Sequence, residues 1–293
     1  MSACFILSLD CEGKWGVSDH LAPRHHAQLS DDRLHAAYKD IFAVLDRYEI
    51  AATFAITGFF GMSRRELLAL PYGDIMRRLP YTKNAFHDIL DGSKQGWSAE
   101  WLHSELNIRH ERALHGISHT PYNMMDSDTA KFELSLMPVQ AGQTFVFPRN
   151  AISHVDILQR EIAIIGYRQA RPSNRFSRLI DELNIFEASE QQQPSSGPVR
   201  IPAGYFVNWK SGVRKLVPTE VSRARAVHIL DHAIATNGVA HFWSHPENIA
   251  AAPKTLSVLD VILSEVASRR DAGKISVLTQ LQYSNNMARR VIG

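Results

Sequence analysis

FILSLDCEGKWG, residues 5–16, is the stretch on which the fold and the chemistry of this chain both turn. It is apolar enough for a buried strand, yet it closes on two carboxylates around a cysteine. An unpaired buried charge is costly, so such a pair needs a partner, a proton or a metal. Side chains alternate faces along a strand. Ile6, Ser8, Asp10 and Glu12 therefore share one face, and Leu7, Leu9 and Cys11 the other. Asp10 and Glu12 project together at the strand's C-terminal end, while Cys11 points away.

Working outward from this strand, β-type and helix-type segments alternate. SDDRLHAAYKDIFAVLDRYEI places Leu34, Ala37, Tyr38, Ile41, Leu45 and Tyr48 at helical spacing behind a capping Ser or Asp. AATFAITGFF has the β-branched and aromatic content of a second strand. Helices are expected around 64–79 and 99–111, then RALHGISH as a short strand running into a loop, and TFVFPRN as another strand. Val155, Leu158, Ile162 and Ile165 mark a helix, 166–169 a strand and 178–183 a further helix. Val227, Leu230 and Ile234 form a helical stripe stopped by Asn237-Gly238. VAHFWSHPENI reads as strand and loop, and a helix carrying Leu256, Leu259, Ile262 and Val266 leads to a last strand, KISVLTQL. EASEQQQPSSGPV, residues 187–199, is the one low-complexity stretch and reads as an exposed excursion.

This order means βαβ units on a parallel sheet. About seven units favour an α/β fold, an irregular (β/α) barrel of about seven parallel strands forming a single domain over 1–293, with its site at the C-terminal strand ends. A doubly wound open sheet is the runner-up; no dinucleotide fingerprint or phosphate-binding glycine loop supports it.

The totals exclude several classes. With 293 residues, 45% hydrophobic and 21% charged, the chain has the composition of a soluble globular protein, and a net charge of +2 with no basic stripe argues against nucleic acid. Its two cysteines, Cys4 and Cys11, fall in one strand and build no disulfide framework. No run reaches the ~18 apolar residues of a membrane span. MSACFILSLD lacks the positive segment of a signal peptide, so a cytoplasmic protein is expected.

Polar residues collect at the expected strand ends. His115 and His119, in HGISHTPY, have a spacing that lets both imidazoles reach one ion. With 14 histidines in the chain, such a pair alone carries little weight; together with a carboxylate from another strand it makes a facial metal site with open positions. Arg149, in FVFPRN, follows a strand end and could hold Asp10 ionised through a bidentate pair. His245, in HFWSHPENI, is a general acid/base candidate, with Glu247 just after it. His241 reads as a packed strand histidine.

In this order, the DxE of the first strand, ATF in the second, HxxxH after the third, a Pro/Arg pair and a late His resemble the polysaccharide deacetylases, the NodB-homology proteins of carbohydrate esterase family four. The resemblance runs from about Phe5 to Leu281. It implies a deformed (β/α) barrel and a metal-dependent hydrolase removing acetyl groups from sugars. Residue by residue, it implies Asp10 as general base, Glu12, His115 and His119 as metal ligands, and His245 as general acid. Two departures stand out: Arg149 follows Pro148 where the family writes Arg-x-Pro, and the usual Asp/Trp support of the acid His is missing, with RIPAGYFVNW as its stand-in.

The expected activity is hydrolysis of the acetamide of an N-acetylated sugar, on a surface-polysaccharide or lipopolysaccharide precursor. The expected cofactor is a divalent metal, zinc first, with cobalt and nickel as alternatives. A backbone N–H near Asn150 is expected at the oxyanion, and Trp15, Trp209, Tyr205 and Trp243 are candidates for a sugar-stacking wall. The rivals are a same-fold amidase acting on a ureide, with or without metal, and a non-catalytic glycan-binding protein.

Overall fold

A computed structural model describes residues 2–92, 94–137, 141–171, 190 and 197–292. Among these, nine strands form one sheet: β1 (Cys4–Cys11), β2 (Thr53–Ile56), β3 (Glu111–Leu114), β4 (Thr144–Phe145), β5 (Gly166–Arg168), β6 (Val199–Ile201), β7 (Tyr205–Phe206), β8 (Val239–Ser244) and β9 (Ser276–Val277). Eight run in the order β6-β5-β4-β3-β2-β1-β8-β7, and β9 pairs with β1. Every strand pair is parallel. The sheet curls with helices around it, giving the expected irregular (β/α) barrel. Its edges, β6 and β7, are joined by only Pro202, Ala203 and Gly204, so the barrel has a seam there that the chain itself crosses.

All eight residues of β1 are buried, as a central strand covered on both faces requires. Leu7, Leu9 and Cys11 join the large core beneath the surrounding helices. Cys4 and Ile6 face the barrel interior, where Val199, Ile201, Val239 and Tyr283 close its lower end. Burying each large side chain of this kind contributes roughly 1.5–3 kcal/mol. The helix Asp31–Arg47 buries Leu34, Ala37, Tyr38, Ile41, Val44 and Leu45, the expected stripe, with Asp31 and Asp32 favourably placed in its first turn.

Some elements depart from expectation. The helix expected over 64–79 is broken at Leu70-Pro71 into Arg64–Ala69 and Tyr72–Arg78. The helix expected to reach residue 111 ends at Glu105, and Glu111 opens β3. Past the last strand, Gln280–Ile292 is a helix that closes the lower end of the barrel. The helix expected over 178–183, and most of the excursion at 187–199, lie outside the described residues. Among the described residues, no helix is long and apolar enough to cross a membrane.

Candidate active site and metal centre

The interior face of β1 becomes polar as it rises. Above Cys4 and Ile6 come Ser8, Asp10 and Glu12, all buried. At the level of Asp10, the register partners on β2 and β3 are Ala55 and Ala113. These small side chains leave the barrel open at that height, and Arg168 crosses it from β5.

Arg168 donates from Nη1 to Asp10 Oδ1 at 2.8 Å and from Nη2 to Asp10 Oδ2 at 2.6 Å. This is the bidentate fork that suits a buried carboxylate. Nη2 also reaches Asn150 Oδ1 at 3.0 Å, and Nη1 reaches Ser8 Oγ at 3.2 Å. The network beneath has one direction. His241 Nδ1 lies 2.6 Å from the Pro202 carbonyl, which only accepts, so that nitrogen carries the proton. Its bare Nε2 therefore accepts from the Ser8 hydroxyl at 2.9 Å, leaving the Ser8 lone pairs for Arg168. Burial, with the charge of Arg168, pushes His241 down to about 3, so it stays neutral.

One level higher, Glu12 Oε1 lies 3.0 Å from His115 Nε2, 2.9 Å from His119 Nε2 and 3.3 Å from His245 Nε2. His115 Nδ1 sits 2.7 Å from the Val146 carbonyl, which only accepts, so that nitrogen carries a proton. Its Nε2 faces the Glu12 carboxylate, so either a second proton or a bound cation would join the two. The donor atoms of Glu12, His115 and His119 all lie within 4.8 Å of one another. Two imidazole nitrogens and one carboxylate oxygen make the three-ligand set of a catalytic metal site that keeps a position open. The residues fit a divalent cation.

Electrostatics separate the roles. Burial alone would raise Asp10, but Arg168, with His115 and His245, holds it below the usual carboxylate range. Burial likewise works against ionised Glu12, and His119 and His245 outweigh it, keeping the carboxyl well below its ordinary value. Burial lowers His119 despite the opposing Glu12 charge, which favours the neutral, ligating imidazole. His245 is different. Burial would lower it, yet Glu12, Asp10 and Glu247 raise it to about 9. It is a quarter exposed, and its Nε2 lies 3.9 Å from Asp10 Oδ2.

Five of the six residues singled out in the sequence thus meet at the barrel mouth: Asp10, Glu12, His115, His119 and His245. Arg149 does not join them. It sits at the rim with its guanidinium paired to Asp19 and 5.5 Å from the centre of the Tyr81 ring. The expected partner of Asp10 is corrected to Arg168. Arg149 lies in a turn with φ of 56° that turns its side chain outward, whereas Arg168 ends a buried strand. A charged residue closing GYR at a strand's C-terminal end was the available signal.

Two further acids were missed or barely marked. Glu247, named only as following His245, accepts from the backbone N–H of Glu12 at 3.0 Å and of Gly13 at 2.6 Å. It ties the end of β1 to the helix Pro246–Ala251. Burial, then the Glu12 charge, raises it to about 7. Glu133, on the helix Ser127–Ser135, accepts from the loop between the two histidines. Of the aromatic candidates, Trp15 and Tyr205 are core and Trp209 is half-buried. Trp243 lies at the mouth, its ring 5.5 Å from that of His245, and Phe206 joins it at 4.8 Å.

No protein-family description matches the sequence, and no curated protein matches it. Solved structures do match. A Mycobacterium smegmatis protein assigned as a polysaccharide deacetylase is 14% identical over 99% of this chain and 91% of its own, with a TM-score of 0.50. The Puue allantoinase is 11% identical over 97% and 90%, with a TM-score of 0.46. The Xyl-CE4 domain of a multidomain xylanase from the hindgut metagenome of Trinervitermes trinervoides is 10% identical over 99% and 91%, at 0.42. The chain has the fold of the polysaccharide deacetylases.

Proposed function

We propose that this chain is a metal-dependent hydrolase that removes the acetyl group of an N-acetylated sugar, on a surface-polysaccharide or lipopolysaccharide precursor. The observation that carries the proposal is the meeting of Glu12, His115 and His119 on one point, with Asp10 and His245 beside it. Glu12, His115 and His119 would hold the cation, zinc first. A divalent cation there supplies Lewis acidity, polarising a carbonyl and acidifying water.

The chain's own groups supply the rest. Asp10, kept ionised by Arg168, takes the proton of the attacking water. Both its oxygens are fixed by the guanidinium, so the carboxylate is oriented before substrate arrives. His245 carries its proton at neutral pH and gives it to the departing amine, which without protonation is a very poor leaving group. Trp243 and Phe206, beside His245, offer an apolar wall for the sugar ring on the leaving-group side.

Metal content by mass spectrometry, on wild type beside His119→Ala and Glu12→Ala, tests this without any substrate. About one equivalent in the wild type, lost in both variants, is the expected result. Acetate release from N-acetylated sugars by the loaded wild type then checks the reaction. No metal after reconstitution would overturn the mechanism and leave the metal-free amidase or a non-catalytic glycan binder.

A further inference from the structure

The loop that carries both histidines is held from two sides. Its carbonyl side is held by backbone: Gly58 N–H donates to Gly116 O at 2.9 Å, and Phe59 N–H to Ile117 O at 2.9 Å. On its amide side, His115 N–H pairs with Ile56 O of β2 at 3.2 Å, and the next held amides turn to a side chain. There Glu133 Oε1 accepts three bonds, from Ile117 N–H at 3.1 Å, Ser118 N–H at 3.1 Å and Ser118 Oγ at 2.9 Å. Ser118 Oγ in turn lies 2.8 Å from Thr120 Oγ1 and accepts from Thr120 N–H at 3.2 Å. Glu133, Ile117 and Ser118 are all fully buried, so no solvent replaces these contacts.

The carboxylate sits where the loop needs an outside hold. Gly116 has φ of 66° and His119 φ of 61°, so the backbone enters the left-handed region on both sides of the two amides. For a residue with a side chain this conformation persists only when the surroundings impose it. Between them, the orientation of Ile117 and Ser118 sets how far His119 Nε2 stands from Glu12. Gly116 also leaves no room for a bulkier residue, since a Cβ there would lie 3.1 Å from Pro148 Cγ and 3.4 Å from Glu133 Oε1.

We propose that Glu133 is a positioning residue of the metal centre: by taking the Ile117 and Ser118 donors, it fixes the 115–119 loop with both Nε2 atoms turned to Glu12, and so sets the affinity for the cation. This rests on the metal-centre assignment above. Glu111 provides the matched control. It is equally sequestered at the other end of the barrel and accepts from Thr53 Oγ1 at 2.7 Å and Leu281 N–H at 2.8 Å, but it touches no part of the histidine loop.

The test is the dissociation constant of Zn²⁺ for the metal-stripped full chain, by chelator competition, in wild type, Glu133→Ala, Glu133→Gln and Glu111→Gln. Glu133→Ala should weaken binding by about 10–100-fold, the usual effect of losing a group that orients ligands. Glu133→Gln, which keeps an acceptor oxygen, should return to within a few-fold of wild type. Glu111→Gln should unfold at lower denaturant yet bind zinc as wild type does. Should Glu133→Ala not fold, Ser118→Ala removes one of the three donors and should weaken zinc several-fold. Unchanged affinity in the Glu133→Ala or Ser118→Ala variant, or an equal loss in Glu111→Gln, overturns the positioning role alone. A wild type that takes up no zinc overturns the metal centre itself, and this role with it.

Discussion

The two ends of the barrel both bury carboxylates, and they treat them differently. At the lower end, Glu111 is answered by hydrogen bonds from Thr53, Thr144 and Leu281, while Gln280 N–H donates to Thr53 Oγ1. Burial raises its pKa, and those donors pull against the rise. It is a satisfied polar plug under the terminal helix. At the mouth, the polar neighbours of Glu12 Oε1 are the Nε2 atoms of His115, His119 and His245. A satisfied acid holds structure; one ringed by three imidazole nitrogens is placed to share a cation with them. Barrel folds divide in this way, with stability at the N-terminal face and chemistry at the C-terminal one.

Substitutions at the two ends should therefore separate cleanly. The largest expected effect is on turnover. Asp10→Asn should cut acetate release by about 10²–10⁴-fold, as should His245→Gln, each with metal content unchanged. Retained turnover in either variant would remove that residue from proton transfer.

Next comes Arg168→Met, which strands the Asp10 carboxylate in the interior. Breaking a buried pair in this way costs about 3–5 kcal/mol, read from denaturant unfolding. The pH dependence follows from the sign of the shift. Asp10 has a folded pKa below its unfolded value of 3.8, so its pairing stabilises the protein above that pH. The contribution fades as pH falls through the lower, folded value. Without Arg168 the burial cost prevails, Asp10 titrates higher, and both acid unfolding and the acid limb of the rate profile should move to higher pH. An unmoved acid limb would separate Arg168 from the protonation state of Asp10.

Glu111→Gln should cost about 1–3 kcal/mol through imperfectly matched donors while kcat and metal content stay at wild-type values. Any change in kcat would blur the division between the two ends. The smallest effect is expected at Arg149→Ala. The Asp19 pair is partly exposed, and pairs of that kind are worth about 0–1 kcal/mol. Activity should stay within about threefold, and a loss comparable to that of Asp10→Asn would return Arg149 to the centre.

The residues legible in the sequence share a property. Asp10, Glu12, His115, His119 and His245 each lie at or just past a strand end, where alternation and spacing dictate direction. β1 was readable because eight consecutive buried residues leave one answer. Arg168 was not, because β5 is only three residues long and its partner lies 158 positions away. Arg149 had the better local pattern but the wrong backbone: nothing in FVFPRN announces a left-handed Arg. Glu133 sits on a short helix between Phe132 and Leu134, and only the fold reveals that it faces the loop. The Thr219–Thr236 helix shows the same limit. Leu230 is buried as expected, but the buried face runs through Ala226, Ile229 and Ala233, so Val227 and Ile234 lie half-buried at its edge. Two alanines on that face lower its apparent hydrophobicity and shift the stripe that the larger side chains suggest.

The seam between β6 and β7 carries one more consequence. Gly204, at φ of 76°, is so close to β8 that a methyl group there would lie 2.8 Å from His241 Cγ. The His241 ring rests on the Pro202 carbonyl, Ser8 rests on that ring, Arg168 on Ser8, and Asp10 on Arg168. The joint where the sheet fails to knit is thus geared to Asp10, the proposed base. Drift in this three-residue crossing, far from Asp10 in the sequence, would be transmitted as a change in that carboxylate's aim, so under the proposed reaction variation there would register in turnover before it registers in folding.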